Sequence, residues 1–254
     1  MLFFIGVPVV TLEEKEGVFV PESGGYSFSL AIKVREQFPE VGYFASLSSD
    51  IIGRTIINSL VKNQLFFDPD LIEANERSFI RFKEGDEVND YGFFSSPVLL
   101  GEEKLVASLE SNSDVKAVHL SAEGLFYQPL FSASLSAVSF HTPKPVIIID
   151  PASSSFDSSR DVVRYKRQLR EAFENASLLL LEKEDLEMAE MDESEVKVPY
   201  VIFEDEYTRF SDGFICKKVS KAKLLAAMLE RECFGSVSED PVFKGFDKIK
   251  DILA

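Results

Sequence analysis

Short apolar runs alternate with longer amphipathic segments along most of the chain. The clearest run is Val146 to Ile149, four consecutive β-branched residues that predict a strand buried on both faces. Comparable runs, in chain order, are Leu2 to Val10, Val41 to Leu47, Val115 to Leu120, Ser177 to Leu181 and Pro199 to Phe203. Strands that alternate with helices favour an α/β fold with a doubly wound, mainly parallel sheet flanked by helices.

The segments between these runs have helical periodicity. Asp50 is a good N-cap, and the apolar residues that follow it, from Ile52 to Val61, lie on one helical face. Helices are predicted over Tyr26 to Gln37, Ile51 to Asn63, Glu103 to Leu109, Leu125 to Val138, Ser158 to Asn175, Lys221 to Cys233 and Phe243 to Leu253.

Two segments depart from this alternation. Gly17 to Pro21 is a short strand, and Ser78 to Phe94 reads as a hairpin with one face in water. We therefore expect a small β lid, formed by residues about 11–23 and 76–95, inserted in a single domain of residues 1–254.

The formal net charge of −16 argues against nucleic acid or an anionic membrane as a partner. No run is long enough to span a bilayer. Cys216 and Cys233 form no Cys-x-x-Cys motif, which predicts a reducing, cytoplasmic location. His119 and His141 are too few and too far apart to indicate a metal cluster, so we expect each to be structural.

Ligands of open α/β sheets bind at the carboxyl ends of the strands. Asp150 and Pro151 end the strand that begins at Val146, and a polar loop follows as far as Phe156. A site is therefore expected near Asp150. The alternative is that Asp150 is an ordinary turn residue that ends a strand.

Four short motifs occur in a characteristic order. They are Gly24-Gly25 before a helix, Asp50-x-x-Gly53, Ile149-Asp150-Pro151 and Glu182-x-x-Asp185. In their order and spacing they resemble the ribokinase/PfkB family of sugar kinases, which includes fructokinases. The resemblance implies a ribokinase-like fold and Mg-ATP-dependent phosphorylation of a sugar hydroxyl. It also implies a small-molecule partner, a sugar or nucleoside, with ATP and Mg²⁺ as cofactors if that activity is retained.

The resemblance also assigns roles to residues. It implies substrate binding by Gly24, Gly25, Asp50, Gly53 and Asp150, and Mg²⁺ binding by Glu182 and Asp185. Each assignment has a structural alternative, since a Gly-Gly pair also makes an ordinary turn and an aspartate also caps a helix.

The sequence departs from the family pattern at several positions. Tyr26 and Ser29 stand where the family has asparagines, and Ser48 replaces a leading glycine. Ala152 and Ser154 replace the asparagine and arginine of the Asp-Pro-Asn-x-Arg motif. These departures place substrate binding in doubt.

The largest departure concerns the family's Gly-Ala-Gly-Asp loop, which opens a helix and supplies the general base. No such tetrapeptide is present. In one alignment the loop before Leu224 is deleted. In the other, Asp212-Gly213-Phe214 is its remnant, and Asp212 is a weak candidate base. We favour deletion, because Asp-Gly between two strands is a strong hairpin signal.

Three functions stay open from the sequence. The first is a degenerate family member, a pseudoenzyme with weak or no turnover that still binds a ligand. The second is an active fructokinase-like kinase with Asp212 as base. The third is a structural or interaction protein whose lid pairs into a homodimer through its open strand edges.

Overall fold

The computed structural model describes residues 1–253 except 74–78, 85–86, 92–100, 113, 122–123, 126, 128–129, 154–161 and 238–239. Its strands are β1 (Leu2–Ile5), β2 (Val9–Lys15), β3 (Val18–Gly24), β4 (Val41–Phe44), β5 (Leu47–Ser48), β6 (Ile72–Glu73), β7 (Phe79–Glu84), β8 (Glu87–Tyr91), β9 (Ala117–Ser121), β10 (Val146–Asp150), β11 (Leu178–Glu182), β12 (Tyr200–Phe203), β13 (Tyr207–Phe210), β14 (Ile215–Lys217), β15 (Phe234–Val237) and β16 (Asp240–Phe243). Its α-helices are α1 (Tyr26–Arg35), α2 (Ile51–Lys62), α3 (Glu102–Glu110), α4 (Leu130–Phe140), α5 (Val162–Asn175), α6 (Lys183–Ala189), α7 (Lys221–Glu230) and α8 (Lys250–Leu253).

The central sheet has eight strands in the order β14-β13-β12-β11-β10-β9-β1-β4. All neighbours from β12 to β4 pair in parallel, and only β13 and β14 add in antiparallel fashion. This confirms the predicted α/β class with a mainly parallel sheet flanked by helices. β10 and β11 are almost fully buried, as expected of strands covered on both faces.

The core has two layers, one on each side of this sheet. Alternate residues of β10 and β11, such as Ile148 and Leu180, pack with α1, α2 and α7. Their neighbours, such as Ile149 and Leu181, pack with α3, α4 and α5. Because side chains alternate along a strand, Asp150, two residues after Ile148, points to the side of the sheet that α1, α2 and α7 cover.

A second sheet has the order β3-β2-β7-β8, and its strands overlap the ranges predicted for the lid. Residues 76–78, 85–86 and 92–95 of those ranges lie outside the described residues. The single strand expected over Leu2 to Val10 is wrong, because the chain leaves the central sheet after β1 and enters this sheet at β2. Pro8 cannot donate a ladder hydrogen bond, which explains the break. The predicted strand at Val41 to Leu47 likewise divides into β4 and β5.

The end of the chain corrects another prediction. A helix was expected over Phe243 to Leu253, but Phe243 ends the β15–β16 hairpin and α8 spans four residues. Gly245 has φ +89°, a conformation that stops a helix from extending through it. Phe243 instead packs on Phe234 and Phe246.

Candidate functional site

Four polar side chains from four elements meet at the carboxyl edge of the central sheet. The Lys221 Nζ donates to Asp150 Oδ1 at 2.7 Å, to Glu182 Oε1 at 2.9 Å and to the Tyr26 hydroxyl at 3.0 Å. The Tyr26 hydroxyl in turn donates to Asp150 Oδ2 at 2.9 Å. We call these four residues the Lys221 cluster.

The fold brings the cluster together in a simple way. Asp150 and Glu182 are the last residues of adjacent parallel strands, and both lie on the face that carries Ile148 and Leu180. Tyr26 and Lys221 are the first residues of α1 and α7, the helices that cover that face. Two strand ends and two helix starts therefore converge on one point.

Charge is nearly balanced there. Two carboxylates face one ammonium, and each helix amino terminus contributes about half a positive charge. Burial alone would raise the pKa of Asp150, but the Lys221 ammonium and the His119 ring outweigh it and hold this pKa below its usual value. Burial alone would lower the pKa of Lys221, but Asp150, Tyr26 and Glu182 raise it well above the usual lysine value. Lys221 is therefore a permanent cation.

Tyr26 keeps its proton in this setting. Burial raises the pKa of Tyr26, and the negative charge of Asp150 raises it further. The phenol therefore acts as a hydrogen-bond donor to Asp150 and an acceptor from Lys221.

His119 of β9 lies directly beneath the cluster. It is fully buried, its Nε2 is 3.4 Å from Asp150 Oδ2, and neither ring nitrogen makes a hydrogen bond of good geometry. The ring also packs against Phe4 at 4.6 Å between centroids. His141 fits the expected structural role, since its Nδ1 bonds Pro143 O at 2.7 Å. His119 is a buried core residue that also contacts Asp150 of the cluster.

Asp185 fixes the local backbone. Its Oδ2 accepts from Glu182 N at 2.6 Å and its Oδ1 accepts from Ser153 N at 2.8 Å, so it joins the loops after β11 and β10. Burial raises the pKa of Asp185 to about 6. Its role in the structure is to position Glu182 and the chain after Asp150.

An open cleft of about 730 Å³ lies over the cluster. Gly25, Tyr26 and Ser29 form one wall, Arg81 of β7 approaches from the small sheet, and Glu182 and Lys221 lie at its base. Gly25 has φ +104°, and a Cβ there would lie 3.1 Å from Val7 O, so this position requires glycine. Gly24 pairs with Val9 in the small sheet and precedes this turn.

Two further predicted site residues have visible structural roles. Asp50 caps α2, with Oδ1 accepting from Gly53 N at 2.6 Å. A Cβ at Gly53 would lie 2.0 Å from Ser48 O, so glycine permits close packing of α2 on β5. Among the described residues that line the cleft, neither Asp50 nor Gly53 appears.

Asp212 lies at the other edge of the sheet. It is in the turn between β13 and β14, where Ser211 N bonds Tyr200 O at the amino end of β12. Its carboxylate pairs with Lys250 at 2.7 Å and accepts from Phe214 N at 3.1 Å. The structure thus brings Asp150 and Glu182 together and leaves Asp212 outside the site, which does not fit the role of a base there.

The connection into α7 is the segment where the resemblance places a phosphate-binding loop. Here it is Lys218, Val219 and Ser220, without glycine. Lys218 N bonds Glu206 O, Val219 N bonds Thr208 Oγ1, and Lys223 N bonds Ser220 Oγ. These three N–H groups are committed within the protein, and the segment lacks the glycines of the family's loop, so it does not match the phosphoryl cradle that the resemblance implies.

The implied Mg²⁺ fits no better. Both oxygens of Asp185 accept backbone N–H groups, and Glu182 and Asp150 bind the Lys221 ammonium. Within the described part of the chain, no group of three or more His, Cys, Asp or Glu side chains is arranged to hold a metal ion.

Among the described helices, none is long and apolar enough to cross a membrane.

Lys221 is the central residue that the sequence interpretation missed. A signal for it exists, because a lysine at the first position of a helix opposes the helix dipole unless carboxylates compensate. The Ser220 N-cap followed directly by Lys221 could therefore have pointed to an acidic partner.

No protein-family model and no curated protein sequence matches this chain. Solved structures do resemble it. A PfkB protein from a Polaromonas species has a TM-score of 0.74 at 13% identity, covering 90% of this chain and 88% of its own. A Vibrio cholerae fructokinase bound to fructose, ADP and calcium has a TM-score of 0.72 at 14% identity, covering 99% and 88%.

A third neighbour extends the range of ligands. The Salmonella enterica aminoimidazole riboside kinase, complexed with aminoimidazole riboside and an ATP analogue, has a TM-score of 0.68 at 14% identity, covering 91% and 84%. At these identities the likeness concerns the fold. This chain therefore has a ribokinase-like fold, the fold of the PfkB sugar kinases.

Proposed function

We propose that this protein binds a small polar molecule, a sugar or a nucleoside, in the cleft over the Lys221 cluster, with little or no phosphoryl transfer. The observation that carries the proposal is the ammonium of Lys221 at the start of α7, hydrogen-bonded to Asp150 and Glu182. The resemblance implies a general base from the loop that opens this helix, and here the helix opens with a lysine.

The carboxylates of Asp150, Glu182 and Asp185 are already engaged. Asp150 is fully buried under Lys221 and Tyr26, and Asp185 accepts two backbone N–H groups. Loss of a positioned general base typically lowers a rate by about 100- to 10,000-fold, and loss of anion-stabilising donors by about another 100- to 1,000-fold. Together these losses favour a degenerate kinase.

The cleft itself suits a polyhydroxylated ligand. Ser29, Lys33 and Glu184 offer polar groups along its walls, and Phe203 offers an aromatic surface. Polar groups set around an apolar face are the usual composition of a site that orients a small molecule. The ligands named for two structural neighbours, fructose and aminoimidazole riboside, define the panel to test.

The test measures ADP formation and ligand-induced thermal shift on the same folded preparation, with Mg-ATP and a panel of hexoses, pentoses and nucleosides. We expect a thermal shift with one ligand class and no ADP above background. A Ser29→Trp variant should remove the shift by filling the cleft, whereas Ser139→Trp, at an exposed position of α4, should not. Sugar-dependent ADP formation at enzyme-like rates would overturn the proposal, as would the lack of any thermal shift across the panel.

A second candidate function rests on the small sheet. Val18 and Phe19 are 63% and 50% exposed, and Phe19 packs edge-on against Phe82 at 5.7 Å. Among the described strands, β3 pairs on one side only, with β2, and an edge strand of this kind favours pairing with a second copy. Light scattering at high concentration should then give a dimer that Phe19→Ser converts to a monomer. A strictly monomeric wild-type protein would rule this out.

A further inference from the structure

The Lys221 ammonium is saturated by its partners. A lysine side chain has three N–H donors, and here they go to Asp150, Glu182 and Tyr26 at 2.7, 2.9 and 3.0 Å. The side chain is 10% exposed, so water covers little of it. Lys221 is thus a fixed internal partner of the two carboxylates and has no donor left for a ligand.

The two carboxylates need a cation in this position. Asp150 is fully buried and Glu182 is 25% exposed, and their nearest oxygens converge on a single point, the Lys221 Nζ. Buried carboxylates are stable only when they are paired with a positive charge or coordinate a metal. Carboxylate oxygens are also the ligands that hard divalent cations prefer.

We infer that Lys221 is a tethered replacement for a bound divalent cation. The wild-type cleft then takes up no divalent cation, and removal of the ammonium uncovers a cation site formed by Asp150 and Glu182. A further consequence, which rests on the proposed ligand-binding function, is that a ligand binds the wild-type cleft equally well with and without Mg²⁺.

The experiment is Mn²⁺ binding to the intact protein, followed by the loss of the electron paramagnetic resonance signal of free Mn²⁺. No organic ligand is needed, so the cation inference can fail while the proposed ligand binding stands. Equally, ligand binding can fail while the cation inference stands. Wild type should bind no Mn²⁺ at the cluster. Lys221→Ala should bind one ion, roughly tenfold or more tighter than any wild-type binding, and its melting temperature should rise with Mn²⁺ concentration.

Controls separate this site from the acidic surface. Lys221→Ala/Glu182→Gln should lose the new binding, and Lys250→Ala, which frees an exposed carboxylate pair, should gain none. If Lys221→Ala folds only with Mn²⁺ present, the inference is supported directly. Lys221→Ala/Asp150→Asn removes the ammonium together with the buried carboxylate, and this double variant should fold without binding Mn²⁺. Equal Mn²⁺ binding by wild type and Lys221→Ala, or no binding and no stabilisation of Lys221→Ala, would overturn the inference.

Discussion

In the described part of the central sheet, a lysine bridges two carboxylates at the carboxyl ends of the parallel strands, and another does so at their amino ends. Lys221 lies 2.7 Å from Asp150 and 2.9 Å from Glu182. Lys250 lies 2.7 Å from Asp212 and 2.7 Å from Asp247. The two groups have nearly the same charged residues and nearly the same distances, so neither property can explain a difference in their contribution to stability.

Burial distinguishes them. The Lys221, Asp150 and Glu182 side chains are 10%, 0% and 25% exposed, whereas Lys250, Asp212 and Asp247 are 30%, 35% and 89% exposed. Water screens the second group, and exposed ion pairs contribute little to stability. The first group has lost most of its hydration, so each member depends on the others. The same three charges therefore form a buried cluster at one edge of the sheet and an exposed contact at the other.

The largest expected effect comes from removing the buried cation. Lys221→Ala should lower the free energy of unfolding by about 3–5 kcal/mol, because it removes the ammonium that pairs with Glu182 and with the fully buried Asp150. Lys250→Ala should leave the urea midpoint unchanged. Urea denaturation of both variants, without divalent cations, measures the contrast. Equal destabilisation by the two variants would contradict the role given to burial.

Asp185, which is buried beside the Lys221 cluster, should make the free energy of unfolding depend on pH. Burial raises its pKa on folding from the usual 3.8 to about 6, so the folded state binds more protons than the unfolded state in that interval. Its contribution to stability is present below pH 3.8 and is lost as pH rises through 6, by at most about 3 kcal/mol. Asp185→Asn should remove this component from a pH series of urea midpoints.

The matched control is Glu187→Gln on the same helix. Its carboxylate is 67% exposed and pairs with Lys183 one turn away, so the pH dependence of this variant should match wild type. A wild-type profile parallel to that of Asp185→Asn between pH 4 and 6 would contradict the assignment.

Tyr26 gives a smaller effect. Tyr26→Phe removes the hydroxyl that donates to Asp150 and accepts from Lys221, which should cost about 1.5–3 kcal/mol because both partners are charged. Tyr207→Phe is the control, since Tyr207 is exposed and its hydroxyl pairs with Glu204. Thermal unfolding should separate the two variants, and equal melting temperatures would show that the hydroxyl of Tyr26 is dispensable.

Much of the fold could be predicted because its signals are local. The buried run at Val146 and the Asp50 cap each specify an element through neighbouring residues, and both elements form as expected. The sequence did not predict the pairing of β15 with β16, because the apolar pattern from Phe243 to Leu253 favours a helix. The pairing depends on contacts between aromatic residues such as Phe234 and Phe243, which that pattern does not reveal.

The site was harder to predict because its partners are distant in sequence. Asp150 was expected from its position at a strand end, but its bond to Lys221 spans 71 residues and the Tyr26–Lys221 bond spans 195. The resemblance drew attention to Asp212, because Asp-Gly is present where a signature was sought. Only the strand register places Asp212 at the amino end of β12, away from Asp150.

The smallest expected effect is therefore also informative. Asp212→Asn should leave the melting temperature, the ligand-induced thermal shift and any residual ADP formation unchanged. Its carboxylate is exposed and bonds Lys250 and Phe214 N at the edge opposite to the cleft, so its charge is screened from the Lys221 cluster. Loss of ADP formation in this variant, with its fold intact, would mean that Asp212 reaches the substrate. The sheet would then have to reorganise around β13, and the contrast between the two edges would fail.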